Sequence, residues 1–150
     1  MKITTADKWF SLCVRERSDW TCEKCGKHYE PEYTAAGLPS NPGLHCSHFY
    51  GRGIWATRTN PDNAFAHCYY CHVQFEMNPR AFNEWAEEKL GTERADILLG
   101  ISLDAYGRGK TERRGHKDGE AAKHYKAEFE RIRKLREQGK RGRIDFVGWQ

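Results

Sequence analysis

Long apolar runs are missing from this chain. None of its 150 residues falls in a stretch approaching the roughly 20 apolar residues of a membrane-spanning helix. The opening "MKITTADKWFSLC" also lacks the apolar run of a signal peptide. Both absences lead us to expect a reducing, cytoplasmic setting. Apolar residues are scarce throughout, at 38%, so the core should be small for the length and in need of a staple. Six cysteines are available for that purpose. In a reducing compartment, paired cysteines read as metal ligands rather than disulfides. No internal repeat is visible, and no aromatic stacking motif of an RNA-binding fold, which ranks RNA last among polyanionic partners.

Charge is present but unevenly placed. Residues 101–150 carry 14 Lys/Arg against 8 Asp/Glu, a net +6, whereas residues 1–100 carry 11 against 13, a net −2. A basic tail on a near-neutral body suits a polyanion, although solvated helices share the pattern.

The pattern predicts a helix from a Thr5 cap to about Arg17, with Trp9, Phe10, Cys13 and Val14 on one face. Cys13 falls in that stripe and reads as packing. "GLHCSHFY" reads as a short strand and "GRGIWATRTNPDN" as a glycine-rich loop with a turn at Asn60–Asn63. Asn78 with Pro79 starts a helix that Gly91 stops, and Thr92 caps a short helix through Leu99. "YGRGKTERRGHKDG" reads as a polar linker. Residues 120–138 form a charged amphipathic helix with Ala122, Tyr125, Phe129, Ile132 and Leu135 as its seam. That seam suits either packing on the body or a homodimer.

"CEKC" (22–25) and "CYYC" (68–71) are two C-x-x-C knuckles. Each lets two thiolates converge on one ion at about 2.3 Å, and together Cys22, Cys25, Cys68 and Cys71 would form a closed tetrahedral zinc site. A scheme using Cys46 and His48 would orphan one complete pair. A closed four-thiolate site is structural, because it has no open position to activate water. Any chemistry would lie in the clamped excursion, which with its end carries His45, His48, Asp62, Asn63, His67 and His72, followed by Glu76. If a helix begins inside the second knuckle, His72 and Glu76 stand at i and i+4 and can share one divalent ion. On the strand, His45 and Ser47 share one face, and Cys46 and His48 the other. An imidazole titrating near neutrality is suited to take a proton from water. His67, beside Cys68, is placed to hydrogen-bond a thiolate.

The order Cys22-x-x-Cys25, "HCSHF", "PDN", "CYYCH" resembles the HNH, or ββα-metal, nuclease motif over about residues 20–78. The resemblance is closest to the zinc-containing phage recombination nucleases of the lambda NinG (Rap) family, and more distant to endonuclease VII. It implies His48 as general base, Asn63 as the brace that orients it, and His72 as ligand of a catalytic Mg²⁺ or Mn²⁺. Many HNH enzymes place an aspartate or histidine ligand directly before the base, where this chain has Ser47. The second ligand is therefore open among Glu76, His45 and Asp62, in that order. Arg52 and Arg58, in the glycine-rich loop, are candidate contacts to substrate phosphates. Arg113, Arg114, Lys140 and Arg141 are candidates for gripping the DNA backbone.

The expected fold is therefore a small α+β protein, a zinc-clamped ββα-metal core with flanking helices. Residues 1–100 would form the nuclease domain with its N-terminal helix, and 101–150 a basic linker, helix and tail. The expected function is a DNA endonuclease using a one-metal HNH mechanism, and the resemblance extends this to branched recombination intermediates. If a phage encodes the chain, the host cytoplasm is its setting. The competing expectation is a non-catalytic, zinc-stabilised DNA-binding or adaptor module, which Ser47 favours.

Overall fold

The computed structural model describes residues 2–109 and 116–149. Helix α1 spans Thr5–Arg17, and its cap is Thr4 rather than Thr5. Thr4 wins because Asp7 stands at the third helical position: the Thr4 hydroxyl accepts the Asp7 N–H at 3.1 Å, and the Asp7 carboxylate accepts the Thr4 N–H at 2.8 Å. The helix buries Ala6, Phe10, Cys13 and Val14. They pack against the seam of α5 (Asp118–Glu137), including Tyr125, Phe129 and Ile132. Phe10 meets Tyr125 edge-on at 5.2 Å and Phe146 of the C-terminal tail at 5.7 Å. Each such ring or aliphatic side chain contributes about 1.5–3 kcal/mol through burial. Cys13 packs as expected, its thiol donating to the Tyr125 carbonyl at 3.2 Å.

The α5 seam packs on α1, the first of the two arrangements the sequence left open. Helix α4 (Thr92–Arg108) runs across the 100/101 boundary, and α5 and Phe146 share the core of α1.

After α1 the chain reverses through Asp19 and Trp20, both at φ 55°. This left-handed conformation costs each about 1–2 kcal/mol. Burial of the Trp20 indole, whose N–H donates to Glu16 at 2.9 Å, helps offset that. The first knuckle then closes on Gly26, whose φ of 79° lets its N–H reach the Cys22 carbonyl at 2.9 Å. Two short strands, β1 (Glu32–Tyr33) and β2 (Pro39–Ser40), make a surface hairpin.

Strands β3 (Leu44–His48) and β4 (Ala64–Cys68) pair antiparallel, with Leu44 opposite Cys68, His45 opposite His67, Ser47 opposite Phe65 and His48 opposite Ala64. Alternation gives this hairpin two working faces. Leu44, Ala64, Ala66 and Cys68 join the α1–α5 core. Phe65 joins a second core with Phe75 of α2 (Tyr69–Met77) and Phe82 and Ala86 of α3 (Pro79–Leu90). Helix α2 starts on Cys68 itself, so the second knuckle is also a helix cap. Asn78 caps α3 with Pro79 in its first turn, as the sequence predicts. Helix α4 runs nine residues beyond the expected Leu99. Among the described residues the protein is thus a small α+β fold of five helices and two two-stranded sheets. No described helix is long and apolar enough to cross a membrane.

Candidate metal centre and the histidines beside it

The sulfurs of Cys22, Cys25, Cys68 and Cys71 all lie within 4.8 Å of one another. A regular tetrahedron around an ion at about 2.3 Å has edges of about 3.8 Å, and Cys25 and Cys68 stand 3.9 Å apart. The donor set and spacing fit zinc. Cys22, Cys68 and Cys71 are buried, and four thiolates fill the coordination sphere. The site is therefore suited to holding structure rather than to activating water. Cys46 and His48, the alternative donors, lie outside this group.

Glu23, inside the first knuckle, sutures that knuckle to β4. Its carboxylate accepts the Ala66 N–H at 2.7 Å and pairs with Arg17 at 3.2 Å and Arg143 at 2.7 Å. Burial alone would raise its pKa. Arg17, the Ala66 N–H and Arg143 outweigh burial and hold the carboxyl below the usual range. Arg17 also donates to the carbonyls of Pro61 at 2.8 Å and Ala64 at 2.6 Å. Sequence reasoning missed this network, because nothing in "CEKC" marks its glutamate as buried.

His48 ends β3, half-buried beside Phe10. Its Nε2 lies 3.0 Å from the Arg58 carbonyl oxygen. A carbonyl can only accept, so Nε2 carries the proton and Nδ1 keeps its lone pair. Burial pushes the imidazole down to about 4; the Arg58 carbonyl and Asp7 oppose that, and Arg52 and Arg58 reinforce it. At neutral pH the ring is an unprotonated base of fixed tautomer.

Asn63 braces the excursion from Phe49 to Asp62. Fully buried, it accepts the Tyr50 N–H at 2.7 Å and donates to the carbonyls of Tyr50 at 2.8 Å and Thr57 at 3.0 Å. Three successive carbonyls of the loop thus meet three side chains: Thr57 takes Asn63, Arg58 takes His48, and Thr59 takes the Tyr125 hydroxyl at 2.6 Å.

Arg58 is not a phosphate contact. It is 1% exposed, pairs with Asp7 at 2.5 Å, and lies over the Trp55 ring at 4.2 Å. A guanidinium sealed in this way cannot reach a substrate. Arg52 is half-buried, and its charge bears on His48.

On the other face of β3, His72 meets Ser47 and His45. Its Nδ1 lies 3.2 Å from the Ser47 hydroxyl and its Nε2 3.2 Å from the Glu76 carboxylate. His72 thus stands between the Ser47 hydroxyl on one ring nitrogen and the Glu76 carboxylate on the other. Glu76 stands one helical turn beyond His72 and is largely exposed. His45 stacks on His72 at 5.3 Å and 14°. Burial and the neighbouring His72 lower its basicity. His45, His72 and Glu76 do not converge as a three-donor group; among the described residues only the four cysteines do. Asp62 is engaged by Arg94 of α4.

His67 also departs from expectation. Both ring nitrogens are buried without a hydrogen-bond partner among the described residues, and the ring sits among Phe65, Phe75, Phe82 and Trp85. It faces the second core, so it does not bond a thiolate. Lys140 and Arg141 are exposed, and Arg113 and Arg114 lie outside the described residues. No family model, curated protein or solved structure matches this chain.

Proposed function

We propose that the chain is a metal-dependent DNA endonuclease that hydrolyses phosphodiester bonds by a one-metal, HNH-type mechanism. The observation that carries this reading is the pair of opposed imidazoles around Ser47. His48, at the end of the strand, commits Nε2 to the Arg58 carbonyl and keeps its lone pair on Nδ1, and His72 turns its Nδ1 to the Ser47 hydroxyl. The hairpin-then-helix order of β3, β4 and α2 suits the same reading. His48 would take the proton of the attacking water at Nδ1 and keep its Nε2–H on the Arg58 carbonyl. Arg52, beside it, would hold a substrate phosphate. When bound to His72, Mg²⁺ or Mn²⁺ would neutralise the phosphate charge and stabilise the departing 3′-oxygen. Glu76 would keep the His72 ring aimed, and Asn63 would keep the loop shut behind His48. The ends produced would be 5′-phosphate and 3′-hydroxyl. Branched recombination intermediates are the proposed substrates, on the family resemblance alone.

One observation favours a second reading, a zinc-stabilised DNA-binding or adaptor module. His72 faces a neutral hydroxyl, and among the described residues no third donor converges on it. A cleavage assay on linear, nicked, flapped and four-way DNA, with Mg²⁺ or Mn²⁺, separates the two. The endonuclease reading expects cleavage that His48→Ala abolishes while zinc content and melting temperature persist. DNA binding without cleavage in either metal would select the adaptor.

A further inference from the structure

The Arg58 carbonyl that receives His48 belongs to a residue whose side chain is fastened at its far end. The guanidinium gives Nε to Asp7 Oδ1 at 2.9 Å and Nη2 to Asp7 Oδ2 at 2.5 Å. It also donates to the carbonyls of Arg52 at 3.1 Å and Lys2 at 2.8 Å. Asp7 is held in turn by the Thr4 N–H at 2.8 Å, inside the cap of α1. A buried ion pair is a poor source of stability, since desolvating both charges roughly cancels their attraction. What this pair supplies is direction. An arginine pinned through several donors, between Thr57 on Asn63 and Thr59 on Tyr125, leaves its carbonyl little freedom to turn.

We propose that Asp7 is a positioning residue for His48: by holding the Arg58 guanidinium, it fixes the carbonyl that decides which imidazole nitrogen bears the proton. The consequence for catalysis rests on the endonuclease reading; the consequence for the imidazole does not. The charged groups facing His48 are Arg52 and Arg58 of the loop and Asp7 of α1, and its ring neighbour on α1 is Phe10.

The test is nitrogen-15 NMR of the histidine rings in the zinc-loaded full chain. It compares wild type with Asp7→Leu/Arg58→Met, which replaces both charges by apolar groups and leaves neither stranded. In wild type, His48 is expected to show one slowly exchanging Nε2–H. In the double variant that signal is lost to solvent exchange, and the ring titrates closer to its ordinary value. DNA cleavage should then fall at least tenfold in kcat, with KM within twofold. A folded double variant that keeps the protected Nε2–H overturns the proposal. If that variant fails to melt cooperatively, Asp7→Asn, which preserves the shape and the cap acceptor, is read by the same signal with the same two outcomes. A wild-type chain that cleaves no DNA would sink the nuclease reading and leave the NMR result to decide the role of Asp7.

Discussion

Ser47 Oγ lies 3.2 Å from His72 Nδ1, so the hydroxyl occupies the direction in which the histidine would offer its lone pair to an ion. A neutral oxygen there is a weak ligand for a hard divalent cation, whose affinity grows with ligand charge. Ser47→Asp should therefore tighten Mn²⁺ binding by about tenfold, or about 1.4 kcal/mol. Titration by electron paramagnetic resonance would show it. An unchanged affinity would mean that His72 is not aimed at an ion.

The four-cysteine cluster joins knuckles 42 residues apart in sequence. One zinc per chain is expected by elemental analysis. Cys68→Ala should abolish it and remove several kcal/mol of stability, since binding energy at such sites is also folding energy. A variant that melts like wild type after chelation would show that the metal is dispensable.

Asn63→Ala strands the Tyr50 N–H and the Tyr50 carbonyl, while the Thr57 carbonyl keeps the Asn60 N–H. At about 1–3 kcal/mol for each buried unpaired group, the loss should be at least about 2 kcal/mol. For a chain of this size that lowers the melting temperature by roughly 6 °C. Calorimetry would measure it.

His67 keeps two buried nitrogens unpaired among aromatic rings. His67→Phe should raise the urea midpoint, by about 1–2 kcal/mol in stability, because it removes polar atoms that have no partner. Destabilisation instead would indicate a buried water serving those nitrogens.

Burial holds His48 at about 4 in the folded chain, below its ordinary 6.5. The unfolded chain therefore binds more protons between those values, and stability falls as pH drops from about 6.5 towards 4. Between pH 7 and 5 the His48 share is on the order of 1–2 kcal/mol. Denaturant midpoints at the two pH values should converge more closely in His48→Gln than in wild type.

Periodicity and punctuation were legible from the sequence. The apolar stripe of α1, the Asn78–Pro79 start of α3, the strand around His48 and the two cysteine knuckles all follow from local residue types. Helix α4 was cut short because Gly100 and Gly107 weaken its helical signal, yet packing of Leu98, Ser102 and Ala105 carries it to Arg108. Arg58 was misread for a different reason. Its partner, Asp7, lies 51 residues away, and only the folded chain brings a helix cap beneath a glycine-rich loop. His67 sits one residue from Cys68 of the four-cysteine cluster, but strand alternation turns its ring to the opposite face.

The pairing of α1 with α5 sets an order of events during synthesis. Cys13 bonds to Tyr125 and Glu16 to Arg136, across 112 and 120 positions. Helix α1 must therefore wait, the part of its stripe that meets Tyr125 and Phe129 uncovered, until α5 emerges. The cysteine-bracketed hairpin needs no such delay and can close while translation continues. Between the closing of that hairpin and the arrival of α5, the nascent chain would carry one side of its main core open to solvent.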